Sequence, residues 1–167
     1  MTDRSAAAVL ARRAAVLARP LAAAAGVAAP ALEFNIAGAE CVLELKWVRE
    51  VRPVRELVCL PMPARHVRGV ASIRGDMVPI LETAELLGLP GTADPAMILL
   101  LGEDAIDFGI VADSIGGVAE LSTTHGNAMR DFQPAVVNGC THDGRAIVDG
   151  RSLLAFANTI LGERSPT

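Results

Sequence analysis

His66, His125 and His142, with Ser114 and Ser122, are the side chains of this chain suited to general-base and nucleophilic work. Such chemistry needs a frame. A Gly-x-Ser-x-Gly elbow exposes a serine, His-Glu-x-x-His puts two ligands on one helix face, and a glycine-rich loop cradles a phosphate. None of these patterns occurs, and each histidine stands beside turn residues, where solvation is the default. Cys41, Cys59 and Cys140 are odd in number and widely spaced, without Cys-x-x-Cys or zinc spacing. Cys140-Thr141-His142 is half a metal site with no second pair. The cysteines read as small buried apolar residues in a reducing, cytoplasmic compartment. The sequence predicts no catalytic residue, no metal, no cofactor and no enzyme.

Binding chemistry is more legible. Val67-Arg68-Gly69-Val70-Ala71-Ser72-Ile73-Arg74-Gly75-Asp76-Met77-Val78-Pro79-Ile80-Leu81 places two apolar runs around an Arg-Gly-Asp turn. A glycine-bearing turn between β-branched runs is a strand-turn-strand unit. The planar fork of Arg74 suits a glutamate or backbone carbonyls on a partner, Gly75 permits close approach, and Asp76 is placed to orient the guanidinium. A second role stays open for Arg74, in which it bonds internal carbonyls and ties two parts of the fold together.

The elements that must position this turn are mostly strands. With 167 residues, 51% of them apolar, the chain can bury a core. Four Phe, one Trp and no Tyr make that core aliphatic. A net charge of -4 and sparse aromatics exclude a nucleic-acid platform. Residues 5–19 form an Ala-rich helix stopped by Pro20, with Arg4, Arg12 and Arg19 on one side and Leu10 and Leu17 opposite, although Arg13 interrupts the apolar face. An export signal is the alternative reading, although Arg19-Pro20 interrupts its apolar run, and the same interruption excludes a membrane span. Residues 20–30 are linker.

From Ala31 the period becomes two. Leu32, Phe34 and Ile36 face a core, and Cys41, Leu43 and Leu45 return on it after a turn at residues 38–40. Leu45, Val48 and Val51 are spaced as a helical turn with Lys46, Arg49 and Arg52 outside. Residues 54–60 form a short or edge strand among prolines; Pro53 and Pro79 would blunt an edge. Residues 83–87 make one helical turn ended by Gly88. The loop at 89–95 is the expected seam between two halves. Strands follow at 97–101, 108–112 and 115–121, then a polar loop at 122–133. Val136-Val137 and Ala146-Ile147-Val148 bracket a turn at His142-Asp143-Gly144. Asp149 caps a last helix with the stripe Leu153, Phe156, Ala157, Ile160 and Leu161, closed by Gly162. Many short strands without crossover helices imply small barrels.

Four segments together resemble the CheW-like domain of bacterial chemotaxis coupling proteins. Residues 68–81 follow Gly-Val-x-x-Ile-Arg-Gly-x-x-Val-Pro-Ile-Leu. Trp47-Val48-Arg49-Glu50-Val51 is similar to an early Val-x-Glu-Val turn. Phe108-Gly109-Ile110-Val111-Ala112-Asp113-Ser114-Ile115 resembles the Gly-Ile-Val-Val-Asp-x-Val strand pair. Val137-Asn138-Gly139 through Asp143-Gly144-Arg145 to Leu153-Leu154 resembles the closing segment. The likeness spans residues 31–161. Four departures are visible: Glu82-Thr83 replaces Asp-Leu, residues 145–150 are short, Trp47 fills a position commonly small or polar, and an N-terminal Ala/Arg helix is found in only part of the family.

The resemblance implies a mainly β fold of two interlocked five-stranded SH3-like barrels, with an N-terminal and a C-terminal helix. The domains would be 1–30 (helix and linker), 31–162 (the CheW-like domain) and 163–167 (a tail). It implies a non-catalytic, cytoplasmic adaptor coupling chemoreceptor helical hairpins to the regulatory domain of a CheA-type histidine kinase. The alternative is a diverged kinase-binding regulator or scaffold of another pathway, such as surface motility. Partner-binding residues would be Arg74, Gly75, Asp76, Trp47, Val48, Glu50, Val51 and Gly109. For Val48 and Val51 a core role is equally open. For Trp47 the alternative is packing under the N-terminal helix, and for Gly109 a close strand crossing. Ile110 and Val111 would lie near the partner groove or in the core.

Overall fold

The computed structural model describes residues 28–60, 66–91, 94–121 and 135–162. The N-terminal helix, the tail, His125, Ser122 and the polar loop at 122–133 lie outside the described residues. The expected alternation produces β1 (Ala29–Ile36), whose Leu32, Phe34 and Ile36 are all buried. A tight turn at Ala37-Gly38 leads to β2 (Ala39–Glu44), with Cys41 and Leu43 on the same core. A 3-10 turn over Leu45–Trp47 carries the chain to β3 (Val48–Pro53), and a second over Val54–Glu56 to β4 (Leu57–Cys59). Then come β5 (Val67–Ile73), β6 (Asp76–Leu81), α1 (Thr83–Leu87), β7 (Met97–Leu101), β8 (Phe108–Ala112), β9 (Ser114–Leu121), β10 (Val137–Cys140), β11 (Ala146–Val148) and α2 (Gly150–Gly162).

These strands form two sheets, of order β10-β11-β2-β1-β9 and β3-β7-β8-β6-β5-β4. The fold is mainly β, as expected. One sheet has six strands rather than five, and two pairings, β11 with β2 and β6 with β8, are parallel. The loop at 89–95 joins elements of one sheet; the chain changes sheet instead at the Leu45–Trp47 turn and at Asp113. Asp113 pins the second crossing. Its amide donates to the Asn35 carbonyl (2.8 Å) and its Oδ2 accepts from the Ala37 amide (2.7 Å).

The helical spacing of Leu45, Val48 and Val51 belongs to a bulged strand. Val48 pairs with Leu101 and Val51 with Leu99, whereas Glu50 pairs with Leu100, so the bulge at Val48/Glu50 inverts the alternation. Val48 and Val51 therefore share one face and Glu50 and Arg52 the other. Three-residue spacing imitates a helix here because one extra residue shifts a period of two. β4 is an edge strand, as expected, but its Cys59 is exposed, contrary to the buried reading. Pro79 lies on an interior strand; β8 pairs only with Ile80 and Leu81, so the β6–β8 ladder has ended at Pro79.

α1 ends at Gly88 with φ +74°. Among the described residues its Thr83 is the buried polar one, and its hydroxyl donates to the Val111 carbonyl at 2.5 Å, which is how threonine fits where the resembled family has leucine. Asp149 caps α2: its Oδ1 accepts from the Arg151 amide (3.2 Å) and its Oδ2 from Ser152 Oγ (2.6 Å). One apolar core takes residues from both sheets and both helices, among them Phe34, Leu43, Ile80, Leu99, Ile110, Leu86 and Leu153.

Candidate functional site

The turn between β5 and β6 has positive φ at both central residues, +55° at Arg74 and +95° at Gly75. That is the signature of a type I′ hairpin, where Asn-Gly is the unstrained choice. Left-handed backbone at an arginine costs roughly 1 kcal/mol. The register Ile73↔Asp76 closes the hairpin and holds its tip away from the sheet. The Arg74 side chain is 75% exposed.

Glu50 meets it. The bulge in β3 turns Glu50 onto the face shared with Leu100, Gly109 and Val78. Arg74 Nη2 donates to Glu50 Oε2 at 3.2 Å, and Arg52 Nε donates to Oε1 at 2.8 Å. Arg52 reaches on to Glu56 Oε2 at 3.1 Å. The hydrogen bonds to Glu50 and then Glu56 raise the Arg52 pKa, so this guanidinium stays charged. Asp76 was expected to orient Arg74; the partner of the guanidinium is Glu50.

A groove of about 380 Å³ opens here, walled by Arg49 and Glu50, the hairpin residues Ile73, Arg74, Asp76 and Val78, and the β7–β8 loop with Asp104, Ala105 and Ile106. Charged forks line its rim and aliphatic side chains its floor. Such an arrangement is suited to contact with an amphipathic surface.

The structure thus gathers Arg74, Gly75, Asp76 and Glu50. Val48 and Val51 are half-buried against the core beside them. Trp47 and Gly109 are not surface residues. Trp47 is 6% exposed and packs on the start of α2, where a Cβ on Gly150 would fall 2.3 Å from Trp47 Cδ1. Gly109 is buried between β6 and β7, and a Cβ there would meet Ile80 Cδ1 at 2.6 Å and Ile98 Cγ2 at 3.0 Å. The glycine leaves room for the side chains of the two neighbouring strands of the same sheet, and no described strand crosses there. Ile110 and Val111 are fully buried and belong to the core. Arg74 does not tie the two sheets together: β3, β5 and β6 are all in the six-stranded one.

Arg52 and the Asp104–Ile106 wall were missed. The alternation Glu50-Val51-Arg52-Pro53 could have disclosed Arg52; nothing in the spacing points to the loop. Of the groups with chemical potential, Ser114 Oγ accepts from Asn35 Nδ2 at 3.1 Å, and His66 Nδ1 lies 3.2 Å from Glu85 Oε2 with its ring edge-on to Phe156. His142 is exposed in its turn. Among the described residues no three His, Cys, Asp or Glu converge as metal ligands, and no helix is long and apolar enough to cross a membrane.

The family description "CheW-like domain" matches residues 30–155. Among solved structures, the chain is similar to the scaffolding protein TtCheW from Thermoanaerobacter tengcongensis, with TM-score 0.61 and 17% identity, over 74% of this chain and 88% of that one. Comparison with curated proteins gives no significant match.

Proposed function

The chain belongs to the CheW-like domain family, and from that premise we propose that it is a non-catalytic adaptor of a chemosensory array, working in the cytoplasm. It couples the helical hairpin of a chemoreceptor to the regulatory domain of a CheA-type histidine kinase, its two β units acting as SH3-like modules. The observation that carries this reading is Arg74, a long cation kept at a left-handed turn position where asparagine would be relaxed. Backbone strain retained at an exposed tip marks a side chain kept for contact. The receptor helix lies in the groove, with its acidic groups on Arg74 and its apolar face against Ile106, the half-buried aliphatic residue of the groove wall.

An adaptor needs a second face. Val58 and Met77, 60% and 63% exposed, lie with Val70 and Pro79 on the other side of β4–β5–β6. This apolar stripe takes the kinase domain, which buries its own aliphatic side chains there. A specific contact of that kind covers roughly 800 Å² on each partner.

Co-sedimentation with receptor hairpins and with the kinase regulatory domain, separately and together, tests the reading. The adaptor predicts a ternary complex that Arg74→Glu disrupts at the receptor side alone. Recovery of a kinase complex with no receptor binding would favour a kinase-titrating regulator of another pathway.

A further inference from the structure

The β7–β8 loop that walls the Glu50–Arg74 groove is fixed in place. The Gly102 amide donates to the Trp47 carbonyl at 3.1 Å and the Asp107 amide to the Leu101 carbonyl at 2.9 Å, so residues 103–106 are held at both ends. A Cβ at Gly102 would fall 1.7 Å from the Ala105 carbonyl oxygen, so only glycine lets the loop close this tightly. Ile106 is half-buried against the main core and anchors the loop from within. Asp104, midway along the loop, is exposed and lines the groove.

The charges around the groove are not all matched. Among the described residues the carboxylate of Asp104 has no hydrogen bond or ion pair, and neither has that of Asp76. Both oxygens of Glu50 are taken, by Arg74 and Arg52. Arg49 is turned to the Lys46 carbonyl. Arg74 engages Glu50 through Nη2 while its side chain is 75% exposed, so the rest of its fork stays available.

We infer that Asp104 is a specificity-determining residue of this groove, which reads a lysine or arginine on the partner helix. The inference rests on the adaptor reading and adds the partner's chemistry to it. The helix carries a carboxylate for Arg74, a cation for Asp104 and an apolar residue for Ile106. A groove of about 380 Å³ is roughly 7 Å across, little more than the ~5.4 Å pitch of a helix, so the two charges stand three or four residues apart on one face. Asp76 shares the hairpin with Arg74, whereas Asp104 comes from a separate element and gives the groove a second fixed charge. A helix with carboxylates alone would set them against Asp104 and Asp76, and that repulsion excludes it.

Designed antiparallel helical hairpins, titrated against the full chain, test this. One displays Glu, with Lys four residues on, beside a leucine; a second has Gln in place of the Lys, and a third has Glu there. Wild type should bind the Glu/Lys hairpin at least about fivefold more tightly than the Glu/Gln one, and the Glu/Glu one most weakly. Asp104→Asn should bind Glu/Lys and Glu/Gln alike. Asp104→Lys should keep the wild-type melting temperature and reverse the order, with Glu/Glu tightest. Equal affinities in wild type, the wild-type order retained by Asp104→Lys, or binding to none of the three would overturn the inference. The adaptor reading is decided separately, by co-sedimentation with receptor hairpins and its loss in Arg74→Glu.

Discussion

At the residue scale the hairpin tip sets stability against binding. Arg74→Asn should stabilise the fold by about 0.5–1 kcal/mol, because asparagine tolerates the left-handed backbone, while receptor binding falls at least tenfold. Denaturant titration and hairpin co-sedimentation read the two effects; a binding-neutral Asn variant would remove the case for Arg74 as an anchor. Gly109 has the opposite profile. Gly109→Ala drives a methyl group into Ile80 and Ile98 and should cost about 1–3 kcal/mol, with binding per folded molecule unchanged. The thiols are separable as well. Burial pushes the Cys41 pKa up to about 12, so at pH 8 a thiol reagent should modify exposed Cys59 rapidly and Cys41 only on unfolding. A thiol held neutral in the fold leaves stability intact below its ordinary value of 9.0. That contribution is then lost as pH rises from 9.0 towards about 12.

At the element scale each motif works through its immediate support. The bulge in β3 turns Glu50 towards Arg74, and Arg52, its pKa raised by hydrogen bonds to Glu50 and Glu56, holds the other carboxylate oxygen. Asp149→Ala should cost about 1 kcal/mol, since it removes the cap of α2. Thr83→Val, nearly equal in volume, should cost about 1–3 kcal/mol by leaving the Val111 carbonyl without its donor. Thermal melts check both. A neutral Thr83→Val would mean that the hydroxyl adds nothing. Strands β1, β7 and β8 and helix α2 were legible because their periodicity or unbroken apolarity has one packing solution. The bulged strand was read as a helical turn because spacing alone cannot separate an extra residue in a strand from a turn of helix.

At the scale of the whole molecule, two sheets share one core, and Trp47 sits where the chain passes between them. Unfolding should therefore be a single transition, with Trp47 fluorescence and far-UV circular dichroism coincident in denaturant. Two separated transitions would show that the sheets hold independently. Patterning and turn chemistry by themselves determined a mainly β chain, the hairpin carrying Arg74, the Gly88 stop and the Asp149-capped helix, because these depend on neighbours within a few residues. Which side chains meet was decided only by the tertiary structure. It paired Glu50 with Arg74 across 24 positions, walled the groove with the Asp104–Ile106 loop, and buried Trp47 and Gly109 among neighbouring side chains. Sheet order and register bring such residues together, and they follow from how all the strands share one interior.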